Sequence, residues 1–98
     1  MKIYGALVHA WPLPGNPYHG KATGICSIQY YALADDAQAF ADQVREFLDR
    51  ELWKLDKIET LGVTSRELLL ETGKARILDA LDSHGDFAMI HWSPFSDN

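Results

Sequence analysis

No aspartate or glutamate occurs in the first 34 residues of this 98-residue chain, where the only charged side chains are Lys2 and Lys21. All 14 acids lie from Asp35 onward, against seven bases, so a segment of charge +2 precedes one of −7. The boundary separates a sheet-building segment from an acidic, mostly helical layer. It describes architecture and names no reaction. Cysteine is nearly absent: Cys26 stands alone, which excludes an internal disulfide and fits a reducing compartment, with the cytoplasm as the default. Long apolar runs are missing too. Residues 3–11 are largely apolar but include Tyr4, His9 and Trp11 and end at Pro12, too short and interrupted for a membrane span or a signal-peptide core. Neither segment has a dense Lys/Arg stripe with interleaved aromatics, so nucleic acid is not an expected partner.

What is present suits one globular domain over residues 1–98. A hydrophobic content of 47% with 23% charge is ordinary for a folded chain. A chain of this length buries about 60 to 70% of its unfolded surface, enough for one core.

The hydrophobic period changes along the chain in a readable order. Lys2 to Trp11 is apolar on both parities, as in a strand covered on two faces. Pro12 to Gly24 holds three prolines and three glycines and reads as a loop. Ile25 to Ala34 is a second strand, so the first two form a hairpin. Asp35 or Asp36 then caps a helix to about residue 51, with Phe40, Val44, Phe47 and Leu48 in its apolar stripe. Trp53 to Leu61 reads as an edge strand because Lys54, Asp56, Lys57 and Glu59 lie along it. Thr64 and Glu67 form a capping box for a helical segment interrupted at Gly73 and stopped at His84-Gly85, although Leu68-Leu69-Leu70 also suits a strand. Asp86 to Ser93 is the last strand.

The expected fold is therefore α+β in the order β-β-α-β-α-β: a four-stranded mixed sheet of order 2-1-4-3 with two helices packed on one face. The other face would then expose large apolar groups, which predicts a homodimer or another protein partner over it.

Four constellations bear on chemistry. The stretch Gly15 to Thr23 opens with G-x-x-x-x-G-K and has Ala22 where a phosphate loop needs the Ser or Thr that ligates magnesium, and a strand rather than a helix is expected to follow. His9, His19, His84 and His91 include no closely spaced pair, and His9 and His91 are expected at opposite ends of their strands, so no metal site follows. Asp79, Asp82, His84 and Asp86 crowd a helix C-terminus, where acids oppose the dipole, but their spacing matches no calcium loop. Cys26 lies mid-strand among Tyr4, Tyr18, Tyr30 and Tyr31. A buried thiol with core aromatics is the plain reading, and an aromatic pocket between sheet and loop is the sharper one.

These residues predict a small cytoplasmic interaction module that uses a sheet face or edge to bind itself or a protein, without cofactor. The rival expectation is a small-ligand protein or enzyme with an aromatic pocket and a histidine acid/base. The candidate interface or pocket residues are His9, Trp11, Tyr31, His91 and Trp92.

Overall fold

The computed structural model describes residues 1–22 and 24–92. Four strands, β1 (Lys2–Pro12), β2 (Cys26–Ala34), β3 (Trp53–Thr64) and β4 (Asp86–His91), form one sheet of order β3-β1-β2-β4. Three helices accompany it: α1 (Ala37–Arg50), α2 (Arg66–Glu71) and α3 (Ala75–His84). The chain is α+β, with an open antiparallel sheet rather than a mixed one, since every neighbouring pair of strands is antiparallel.

The order corrects the expected 2-1-4-3. β1 and β2 are central and β4 is an edge, although β4 is apolar on both parities. β3 is an edge as its charges imply. Two register shifts leave Glu59 and Asp56 as extra residues in β3, and bulges with charged side chains blunt an edge against stray pairing.

The two helical connections run over opposite faces. β2 and β3 are both antiparallel to β1, hence parallel to each other, and α1 bridges them across the first face. There Phe40, Val44, Phe47 and Leu48 bury against Tyr4, Ala6, Val8, Ile28, Tyr30 and Ala32, the even-numbered side chains of β1 and β2. The α2–α3 pair joins the outer strands across the second face, where Leu69, Ile77, Leu78 and Leu81 meet Ile3, Tyr31, Leu33 and Phe87. The expectation of both helices on one face is thus overturned. Because α2–α3 cover part of the second face, the surface argument for a dimer is confined to the part they leave open.

Local signals explain the element ends. Asp36 caps α1 by accepting from the Ala39 amide at 2.8 Å. Ser65, one residue beyond the expected Thr64, caps α2 by accepting from Leu68 at 3.1 Å, because β3 extends through Thr64. Leu68-Leu69-Leu70 is helical, and Gly73 and Gly85 supply the left-handed φ of +73° and +84° that end α2 and α3. Ser93, the expected end of β4, lies outside the described residues.

Candidate functional site

A cleft of about 340 Å³ opens on the first face between the last turn of α1, strand β4 and the β1–β2 loop. α1 crosses the sheet over β1 and β2 and leaves β4 bare on this side. The floor is Tyr30, Ala88 and Ile90, and the small Ala88 side chain, exposed at its centre, leaves the space open. Phe47 stacks on Tyr30 at 4.8 Å with an 11° interplanar angle and forms one wall. Tyr18 and Trp53 form the end, 5.8 Å apart.

The loop that resembles a phosphate-binding motif shapes this end of the cleft. Asn16, 5% exposed, donates from Nδ2 to the Glu51 and Leu52 carbonyls at 2.7 and 3.2 Å and accepts from the Tyr18 amide at 2.8 Å. Leu13 donates to the Leu52 carbonyl at 2.9 Å. These bonds hold Leu52 at a φ of +61°, a conformation that costs a non-glycine residue about 1 kcal/mol or more. Residues 15–21 are therefore a latch between loop and helix, with a pinned asparagine at their centre and no helix opening after them.

The polar groups of the cleft gather on its rim. Tyr30 donates to Asp86 Oδ2 at 2.9 Å, and burial together with this carboxylate raises the phenol pKa far above its ordinary range. Tyr30 is thereby kept as a neutral hydrogen-bond donor. The Arg50 guanidinium stands 5.9 Å from the centre of the Phe47 ring, 3.9 Å from Asp86 and 3.5 Å from Glu51. Glu46 adds to the negative field felt at Tyr30.

The second face carries a polar row beyond the end of the α2–α3 cover. Ser27 is directly paired with both His9 and His91, so the two histidines flank one serine on the same face instead of lying at opposite ends as expected. The physical reason is that β1 and β4 each run antiparallel to β2, which makes them parallel to each other. His9 Nε2 meets Glu59 Oε2 at 2.5 Å, and its Nδ1 lies 3.3 Å from Ser27 Oγ. The Glu59 bulge lets its carboxylate reach inward, and the bond to His9 lowers its pKa. If Nε2 carries the proton toward Glu59, Nδ1 accepts from the serine hydroxyl. A serine nucleophile also needs convergent amide donors for an oxyanion, and the in-plane amides of a central strand are spent on the ladder.

Of the expected site residues, His9, Trp11 and His91 share this open half of the second face. Tyr31 does not join them, because it packs beneath α2–α3 beside Phe87 at 6.5 Å. Trp92 instead packs edge-on against Tyr18 at 5.2 Å, behind the end of the cleft. The predicted pocket between sheet and loop receives Tyr18 and Tyr30, whereas Tyr4 stacks on Phe40 at 5.3 Å in the core. Sequence reasoning missed Arg50, an ordinary surface charge by spacing, and singled out Asp86 only as part of the acidic stretch at a helix end. Asp82 of the acidic stretch is paired with Arg66 at 2.5 Å, which relieves the helix end. Cys26 is fully buried, and burial raises its thiol pKa. Among the described residues no group of three or more His, Cys, Asp or Glu could hold a metal ion, and no helix is long and apolar enough to cross a membrane. Comparison with known protein families, with curated proteins and with solved structures yields no significant match, so the cleft and the polar row stand on their own geometry.

Proposed function

We propose that the chain is a small binding protein whose cleft between α1 and β4 takes an aromatic group of a small molecule. The observation that carries this reading is the convergence of Tyr18, Tyr30, Phe47 and Trp53 on one cleft of about 340 Å³ with Arg50, Glu51 and Asp86 at its rim. Ligand sites have that composition: apolar and aromatic walls with a few placed polar groups, in volumes from about 300 Å³ upward. Tyr30 is held neutral with its one proton donated to Asp86, so at the floor it offers its hydroxyl oxygen as an acceptor rather than a base. The fully buried, unreactive Cys26 is compatible with the reducing cytoplasm as its compartment.

Substitution of Ala88 by Leu tests the reading, because it fills the floor from an exposed position. Indole, titrated by NMR, is expected to give saturable shifts around Tyr18, Tyr30 and Trp53 in the parent protein and far smaller ones in Ala88→Leu. Equal responses in the two proteins, or none in the parent, overturn it.

A second reading keeps the sheet face as a contact surface for another copy or a partner protein. It is favoured by the half of the second face that α2–α3 leaves open, where Trp11 is 42% exposed beside the row of His9, Ser27 and His91. The alternation of polar and apolar groups there also suits water, as one face of an antiparallel sheet does. For this reason it stands second.

A further inference from the structure

An aromatic group in the cleft leaves the ligand's polar end to be chosen by the rim charges. Resting on the cleft reading above, we infer that the cleft recognises an aromatic ring carrying an ammonium head group. Three acids act at the rim and only one base. Glu51 and Asp86 line the opening and Glu46 contributes its field at Tyr30, while Arg50 is the single cation among the described lining residues. Arg50 is already engaged between Glu51 at 3.5 Å and Asp86 at 3.9 Å and lies over Phe47. An incoming carboxylate would have to displace both acids from that guanidinium while sitting beside them. An ammonium meets the opposite situation, because each carboxylate has lone pairs left over.

The cleft walls point the same way. Tyr18, Tyr30, Phe47 and Trp53 line the cleft, and although Tyr30 and Phe47 are stacked on each other, aromatic walls attract cations and pack against rings. Arg50 over Phe47 demonstrates the attraction within the molecule itself. The chain's net charge of −5 adds a long-range field that draws cations and repels anions. A ring seated over Ala88, with a short tether, would place its ammonium at the mouth near Glu51 and Asp86. Arg50 could additionally pair with a carboxylate on the same carbon, so free aromatic amines and aromatic amino acids share the recognised chemistry.

Calorimetric titration with three indoles of one shape separates the possibilities: tryptamine, tryptophan and indole-3-propionate. Tryptamine is expected to bind about tenfold or more tighter than indole-3-propionate at low salt, the gap shrinking as salt screens the rim. The double variant Glu51→Gln, Asp86→Asn should erase most of the gap between tryptamine and indole-3-propionate, the substituted amide oxygen of residue 86 still able to accept from Tyr30; a gap as wide as in the parent overturns the assignment. Tryptophan binding as tightly as tryptamine would assign the amino acid as the source, and tryptophan binding near the propionate would assign the free amine. Indole-3-propionate binding as well as tryptamine overturns the ammonium assignment while leaving the aromatic cleft intact. Failure of neutral indole to bind overturns the cleft reading itself.

Discussion

The ring of Tyr31 lies across Gly5, its cross-strand partner, so closely that a Cβ at residue 5 would stand 2.7 Å from Tyr31 Cε1. The glycine is needed for this approach and not for its backbone, and it lets the tyrosine fold down beneath α2–α3 instead of standing out from the sheet. Gly5→Ala should therefore cost about 1 to 3 kcal/mol by forcing the ring off its seat. Urea denaturation measures it, and a change under about 0.5 kcal/mol would mean that the ring moves aside freely.

Phe47 anchors α1 and walls the cleft at once. Its truncation to Ala removes the 4.8 Å stack on Tyr30 and leaves a void in the first-face core. The expected loss is about 3 to 5 kcal/mol, and chemical denaturation showing less than about 1 kcal/mol would remove Phe47 from the core.

The raised phenol of Tyr30 has a consequence in alkali. A group whose folded pKa exceeds its unfolded value contributes stability in full below the unfolded pKa, about 10 for tyrosine, and loses it as pH rises toward the folded value. Titration should show that Tyr30 fails to ionise until the chain unfolds. Asp86→Asn should bring that ionisation to lower pH by removing the neighbouring negative charge. Reversible ionisation of Tyr30 in its ordinary range in the folded chain would contradict the buried Tyr30–Asp86 bond.

Glu59 gives the opposite sign. Its carboxyl is held below the usual range by the bond to His9, so its contribution is present above the unfolded carboxylate pKa and disappears as pH falls through the folded one. Glu59→Gln should flatten the acid limb of the stability profile by lowering stability slightly at neutral pH and leaving the acid end unchanged, a small effect as expected of an exposed pair. An acid limb identical to that of the parent would show that the pair does not persist in solution.

Sedimentation equilibrium addresses the second reading of function. A species of about 22 kDa growing in with concentration would support pairing through the open sheet face, and Trp11→Ala should then reduce it. A single 11.0 kDa species across the range would leave the sheet face facing water, as its polar row permits.

The amphipathic stripe of Phe40, Val44, Phe47 and Leu48, the cap at Asp36, the stop at Gly85 and the charged edge of β3 were all legible, because each depends on periodicity or on one residue's backbone preference. The order of the strands was not. Apolarity on both parities suggests a central strand, but β4 is an edge whose second face packs under α2–α3 and whose first face floors the cleft, so the pattern does not distinguish centre from edge. Placing β4 beside β2 put His91 next to Ser27 and His9, and sent α2–α3 over the second face. The cleft was half legible: a pocket of sheet and loop aromatics follows from Tyr18 and Tyr30, while Arg50 and Asp86 become rim residues only through distances between separate elements. By itself the sequence determined most of the elements, the cap of α1 and the stop of α3, since local propensity and hydrophobic period act over a few residues. The tertiary structure alone decided which faces the helices cover and which charges meet at the cleft, since those depend on strand pairing between residues far apart in the chain.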